Sequence, residues 1–223
     1  MYLPPLTKKL LWVAAAMLLL PLVLPQWLQA HLVMWPLGEM QYGTDEFGQP
    51  ATIGFMPWQL LTHVFILKGA GGIIFVALTL LFFGASLEAT WGERRYGLFL
   101  LTVTLAGGLI ELLALSLGQR MGWVPFMPVS GASAVMYGIL FAVAYLNPRQ
   151  RVMLLIPPIP MQMQVLVAVL VALELVFGVF GSPNGFAHLG FLGGILAAWL
   201  HIRYWRGQPP FKPRRPPGPR LVR

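Results

Sequence analysis

Residues 98–117 read LFLLTVTLAGGLIELLALSL. Glu111 is the one ionisable group in the run. A helix needs about 20 apolar residues to cross the hydrocarbon core of a bilayer. The run therefore predicts a membrane span. Five further runs read the same way: Leu10–Leu28, Trp58–Leu81, Gly131–Leu146, Val165–Phe180 and Phe186–Ile202. The expected fold is an all-α membrane protein with six transmembrane helices. Composition agrees, because 10% of the residues are charged and 57% are apolar, whereas a soluble domain carries about 25% charged residues. That apolar content also excludes disorder as the reading of the 20 prolines and 24 glycines. Cysteine is absent, which excludes disulfides, thiolate metal sites, iron–sulfur clusters and a cysteine nucleophile.

The first run follows Lys8 and Lys9, as a signal peptide would, but it has no Ala-x-Ala-type end and continues into Pro25-Gln26-Trp27. It reads as a retained helix. Six spans place both termini on one side. All but Lys68 and Arg120 of the 15 lysines and arginines fall on that side. The positive-inside rule makes it the cytoplasm. The net charge of +8 is then a topology signal, and no nucleic-acid partner is expected, even for the tail Lys212-Pro213-Arg214-Arg215. Compactness and charge bias fit a bacterial inner membrane. The membrane domain is expected over 1–206 and a disordered, basic, Pro-rich tail over 207–223. Residues 29–57 read as a long outside loop able to lie in the interface. Residues 82–97 read as an inside loop and 118–130 as an outside loop. Pro157, Pro158 and Pro160 predict a bent or partly re-entrant start of the fifth span.

Ionisable and polar groups inside a bilayer are functional candidates. Ser130-Gly131-Ala132-Ser133 opens the fourth span from outside. Ser130 suits an N-cap, which puts Ser133 at the third helical position. Free amides and the helix dipole there favour the negative charge that develops when a serine attacks a carbonyl. The alternative is a packing role, with Ala134 and Gly138 as small contact residues. His188, in Gly185-Phe186-Ala187-His188-Leu189-Gly190, opens the sixth span from the same side. A serine nucleophile needs a base, and histidine is the usual one. Gly190 and Gly194 permit close approach of a neighbouring helix. His201 lies 13 residues beyond His188, about 20 Å along a helix, and cannot share the site. His31 is expected at the solvated outer edge, and His63 in a hydrogen-bonding or structural role within reach of the cavity. Glu111 and Glu174 are expected to be protonated or bonded to backbone, with orientation of a histidine as the alternative. The fourth run is short, at about 24 Å against a core of ~30 Å, so water must reach Ser133 through a cavity.

From Pro57 to Leu200 the chain resembles the rhomboid family of intramembrane serine proteases. Gly131-Ala132-Ser133 is similar to the family's Gly-x-Ser nucleophile motif, and Ala187-His188-Leu189-Gly190 to its base motif. Tyr137 matches the aromatic residue that packs against the catalytic histidine. Trp58-Gln59-Leu60-Leu61-Thr62-His63, Leu87-Glu88-Ala89-Thr90-Trp91-Gly92 and Ile156-Pro157-Pro158-Ile159-Pro160 resemble the two ends of the second helix and the start of the fifth. The chain also departs from the pattern. Gly72 and Val76 stand where the family has oxyanion-binding His and Asn, leaving the Ser133 N–H, Lys68 or His63 to serve. Ala134, Phe191 and Ile195 replace usual glycines.

The resemblance implies a six-helix rhomboid-like bundle. It implies a Ser133–His188 dyad, supported by Gly131, Tyr137 and His63, that cleaves transmembrane or membrane-proximal segments of membrane proteins. The partners are such substrates and the lipid bilayer; no metal or cofactor is implied. The alternatives are a non-catalytic rhomboid-like protein that binds membrane clients, and a small transporter.

Overall fold

The computed structural model describes residues 3–44, 50–67, 70–153, 160–179 and 185–208. Lys68, Pro157, Pro158, the turn at 181–184 and the tail from 209 lie outside the described residues.

Helix α6, Glu93–Arg120, is the longest described helix. One side of it is core: Tyr96, Phe99, Val103, Leu112 and Leu115 are all buried. The other side carries Leu98, Leu101, Leu105, Leu109, Leu113 and Leu117, all exposed. These leucines recur every three or four residues and so form one stripe along a helix. A leucine stripe that no protein covers is suited to lipid rather than water. Val165, Val169, Leu173 and Val176 of the fifth span, and Leu192 and Leu196 of the sixth, are exposed as well.

Beside α6 stand α1 (Pro5–Val23), α7 (Ser133–Leu146) and α9 (Gly190–Arg206), with α8 (Met163–Leu173) packed on α7. A further rod runs from α4 (Ala70–Thr79) through a π-helical turn at Leu80–Gly84 into α5 (Ala85–Trp91). Together these make a helical membrane bundle with six rods. A second π segment, Glu174–Val179, continues α8, and a 3-10 turn, Gly185–Leu189, precedes α9. Gly92, at φ +81°, makes the sharp break between α5 and α6, a backbone shape glycine adopts readily. The α1 start is held by Glu88 of α5, whose carboxylate accepts from Leu6 N (2.8 Å), Thr7 N (2.6 Å) and Thr7 Oγ1 (2.7 Å). A buried carboxylate thus satisfies the first-turn amides of another helix and complements its dipole.

Several boundaries differ from the sequence expectation. The second rod begins at Ala70, not Trp58, and residues 82–91 are helix rather than loop. Residues 58–67 instead make a short helix α3 (Gln59–Thr62) and a 3-10 turn (His63–Phe65). The first rod runs through Pro21 and stops at Val23, before Pro25, and α2 (Gln26–Leu32) follows. The segment 29–57, expected as a loop, holds an antiparallel strand pair, β1 (Glu39–Thr44) with β2 (Pro50–Gly54), pairing Glu39 with Gly54 and Thr44 with Pro50. The start of the fifth span is not re-entrant where it is described. Pro160–Gln162 (β4) pairs antiparallel with Arg151–Met153 (β3), and α8 begins at once.

The outer segments form a layer over the bundle. Four residues of the Trp58–His63 motif hold it together. Trp58 Nε1 donates to His31 O (3.1 Å), and Thr62 Oγ1 to Leu32 O (2.7 Å). Gln59 is fully buried, and its Oε1 accepts from Trp35 N (3.2 Å). His63, 1% exposed, has Nδ1 2.7 Å from Gln59 O. Leu37 N donates to the buried Ser116 Oγ of α6 (2.8 Å), which fastens the layer to that helix.

Candidate active site

The segment that leads to Ser133 is held from two sides. Val129 and Met34 exchange both backbone hydrogen bonds (2.8 and 2.9 Å), and Gly131 N donates to His63 O (3.2 Å). Gly131 has φ +153°, a conformation that favours glycine. This shape delays the helix. The N-cap is Ala132, and Ser133 is the first helical residue rather than the third. Ser130 does not cap: its Oγ is buried without a partner. The first intrahelical bond runs from Met136 N to Ala132 O (3.0 Å). The amides of Ser133, Ala134 and Val135 precede it and point out of the helix end. Ser133 itself is half-buried.

Helices α7 and α9 touch through backbone. A Cβ on Gly194 would collide with the carbonyl oxygen and Cα of Ala134. One on Gly193 would meet Ala106 O at 2.7 Å, and one on Gly190 would meet Glu111 Oε2 at 2.7 Å. On the facing side, a Cβ on Gly138 would strike Val103, and one on Gly107 would strike Ala134. Small residues thus set three helices at backbone distance. Phe191 and Ile195, which replace usual family glycines, are not needed there; Phe191 instead packs on Tyr137 with ring centroids 5.0 Å apart.

His188 lies six residues before Gly194 and keeps 39% of its side chain exposed. Its Nδ1 is 2.7 Å from Glu174 Oε1. The other carboxylate oxygen, Oε2, accepts from Tyr137 OH at 3.1 Å, a hydroxyl equally close to Leu170 O (3.1 Å). The carboxylate of Glu174 therefore bonds a histidine and a tyrosine rather than backbone. Tyr137 reaches His188 through Glu174, with its ring on Phe191. Among the described residues no hydrogen bond joins Ser133 to His188. Ser133 opens α7, and His188 lies on the 3-10 turn that leads into α9, the helix in backbone contact with α7; Glu174, with Tyr137 beyond it, bonds the Nδ1 side of the imidazole.

The remaining ionisable groups have other surroundings. His63 Nε2 is 3.8 Å from Glu111 Oε2, both buried, beneath the outer layer. Its contribution to the Ser133 segment is its backbone carbonyl. His201 sits between Phe99 and Trp205, with Nδ1 2.9 Å from Thr102 Oγ1. His31 is half-exposed, its Nδ1 2.7 Å from Trp27 O. Gly72 is exposed, and a Cβ there meets nothing within 4 Å. Val76 is buried and lines an apolar cavity of about 280 Å³ together with Ala132, Met136, Leu61 and residues of α1. As the sequence implies, this rod supplies no donor at Gly72 or Val76. No group of three or more His, Asp or Glu able to hold a metal occurs among the described residues.

Glu174 is the residue that sequence reasoning undervalued. Its signal was present, an acid in the outer half of a span next to a histidine-bearing span, but its partner was not. Comparison with known proteins supplies the family context. The chain is 25% identical over 163 residues to Rhomboid-like protein 19 of Arabidopsis thaliana, a match covering 72% of this chain and 52% of that protein. The chain spans about half the length of this curated relative. The Rhomboid domain family matches residues 54–204, the stretch that holds Ser133, Tyr137, Glu174 and His188, so the chain is an integral membrane protein and belongs to the rhomboid family.

Proposed function

We propose that the chain is an intramembrane serine endopeptidase that cleaves transmembrane or membrane-proximal segments of membrane proteins. The observation that supports this most is the state of His188. Its Nδ1 is committed to a carboxylate, Nε2 is the ring nitrogen left for chemistry, and the ring is partly exposed beside the helix that Ser133 opens.

In this reading Ser133 Oγ attacks the scissile carbonyl, and its proton passes to His188 Nε2. His188 then protonates the leaving amine, and water from the outer side releases the acyl-enzyme. The outward amides at the α7 start are the donors available to the oxyanion. A substrate helix must unwind locally to expose the bond, so Gly or Pro near the cleavage point is expected. Both termini lie in the cytoplasm of a bacterial cell, with the active centre toward the outer face.

A second reading, a non-catalytic rhomboid-like protein that handles membrane clients, is favoured by one observation. Val76 presents an apolar side chain where the family pattern has a donor, and losing one oxyanion donor can lower a rate by ~10²–10³-fold. Labelling with a fluorophosphonate decides between them. The full chain in detergent is compared with Ser133→Ala and His188→Ala. Labelling abolished by both substitutions supports the peptidase. A folded wild type that does not label supports client binding.

A further inference from the structure

We propose that Glu174 is a positioning residue of this site, holding His188 with its proton on Nδ1 and its lone pair on Nε2. The inference rests on the peptidase reading and extends the two-residue dyad by a third group.

Of the four histidines, His188 is the one that hydrogen-bonds a carboxylate, at 2.7 Å. His63 bonds a backbone carbonyl, His31 another, and His201 a threonine hydroxyl. His188 also has 39% of its side chain exposed, on a single 3-10 turn, so packing alone does not fix the ring. A bond must do so. Glu174 is itself fixed at both oxygens, by His188 on Oε1 and by Tyr137 OH on Oε2. Tyr137 is in turn wedged against Phe191, which is fully buried three residues beyond His188. The chain of contacts closes on itself through α7, the end of α8 and α9. Glu174 is also where α8 changes to π-helical winding, and such local irregularities are frequent at functional sites.

An ionised carboxylate only accepts hydrogen bonds. Against Glu174, the Nδ1 proton is therefore retained and Nε2 is left as the base. When Nε2 takes the Ser133 proton, the carboxylate stabilises the imidazolium without receiving a proton, as in other Ser–His–acid arrangements.

The test uses the full chain, labelled with ¹⁵N-histidine in detergent micelles, with the His188 resonances assigned by loss in His188→Gln. The wild type is expected to show the neutral ring protonated on Nδ1. Glu174→Leu removes both oxygens at similar volume; the His188 proton should move to Nε2, and Ser133-dependent fluorophosphonate labelling should fall by about 10²-fold or more. Glu174→Gln keeps an acceptor oxygen without the charge and should recover part of both. Tyr137→Phe frees Oε2 alone and should lower labelling about 5-fold, the net value of one hydrogen bond. A wild-type tautomer and labelling rate in Glu174→Leu overturn the proposal, as does a change confined to thermal stability. Equal labelling of wild type and Ser133→Ala overturns the peptidase reading instead, while the ring spectrum still decides whether Glu174 holds His188.

Discussion

Two glycines separate what a residue type means from what its position means. Gly194 lies against the backbone of Ala134, whereas Gly72 faces open space. Gly194→Ala is expected to overpack the α7–α9 contact and lower stability by about 1–3 kcal/mol. Gly72→Ala is expected to be neutral or stabilising by up to ~1 kcal/mol, because alanine is the better helix former. Thermal unfolding of both variants in one detergent checks the pair; equal melting temperatures would contradict the helix contact. The sequence carried part of this. The spacing of Gly190 and Gly194 announced a close approach, and the pattern Gly-x-Ser announced Ser133. It did not carry the Glu174–His188 bond. That link crosses a π segment and a 3-10 turn, where the 3.6-residue period used to place a side chain on a face no longer holds. The cap at Ser130 misled for a local reason: residue type favours it, but the φ of Gly131 turns the chain before the helix starts.

Helices α6, α7 and α9 are held by long close-packed interfaces, whereas the start of α1 is tied by a single polar group, Glu88. Three hydrogen bonds from the first turn of α1 end on its carboxylate, and bonds to a charged group contribute about 1.5–3 kcal/mol each. Glu88→Ala is expected to loosen α1 while leaving α6, α7 and α9 packed. Limited proteolysis should then cut near residues 3–23 first, and the remaining bundle should keep its melting transition. Unchanged protection of α1 would contradict this. The element boundaries were the least legible feature of the sequence. The apolar run Trp58–Leu81 looked continuous because hydropathy does not register where helical bonding stops. The structure divides it at Ile66, where the chain turns extended just after Gln59, Thr62 and His63, whose side chains are bonded within the outer layer.

Across the whole molecule, the exposed leucine stripe of α6 and the uncovered apolar faces of α8 and α9 define the lipid-facing surface, and the basic residues define the proposed cytoplasmic end. The absence of cysteine permits a direct test of orientation. Single substitutions Met121→Cys and Arg149→Cys fall at exposed positions near opposite ends of the bundle. In intact cells a membrane-impermeant maleimide is expected to modify position 121, and position 149 only after permeabilisation. The reverse pattern would invert the topology and place Ser133 toward the cytoplasm. The number of rods was legible from composition and length alone, because a bilayer imposes them. The layer above them was not, because its hairpin and its buried Gln59 and His63 answer to each other rather than to the membrane. The two bonds between Met34 and Val129 and the bond from Gly131 to His63 join three stretches of chain far apart in sequence. Such a cross-linked patch opens as one cooperative unit. The amides of Met34, Val129 and Gly131 should therefore exchange with deuterium at one common rate, and the serine's surroundings should loosen only when the entire lid of outer chain does.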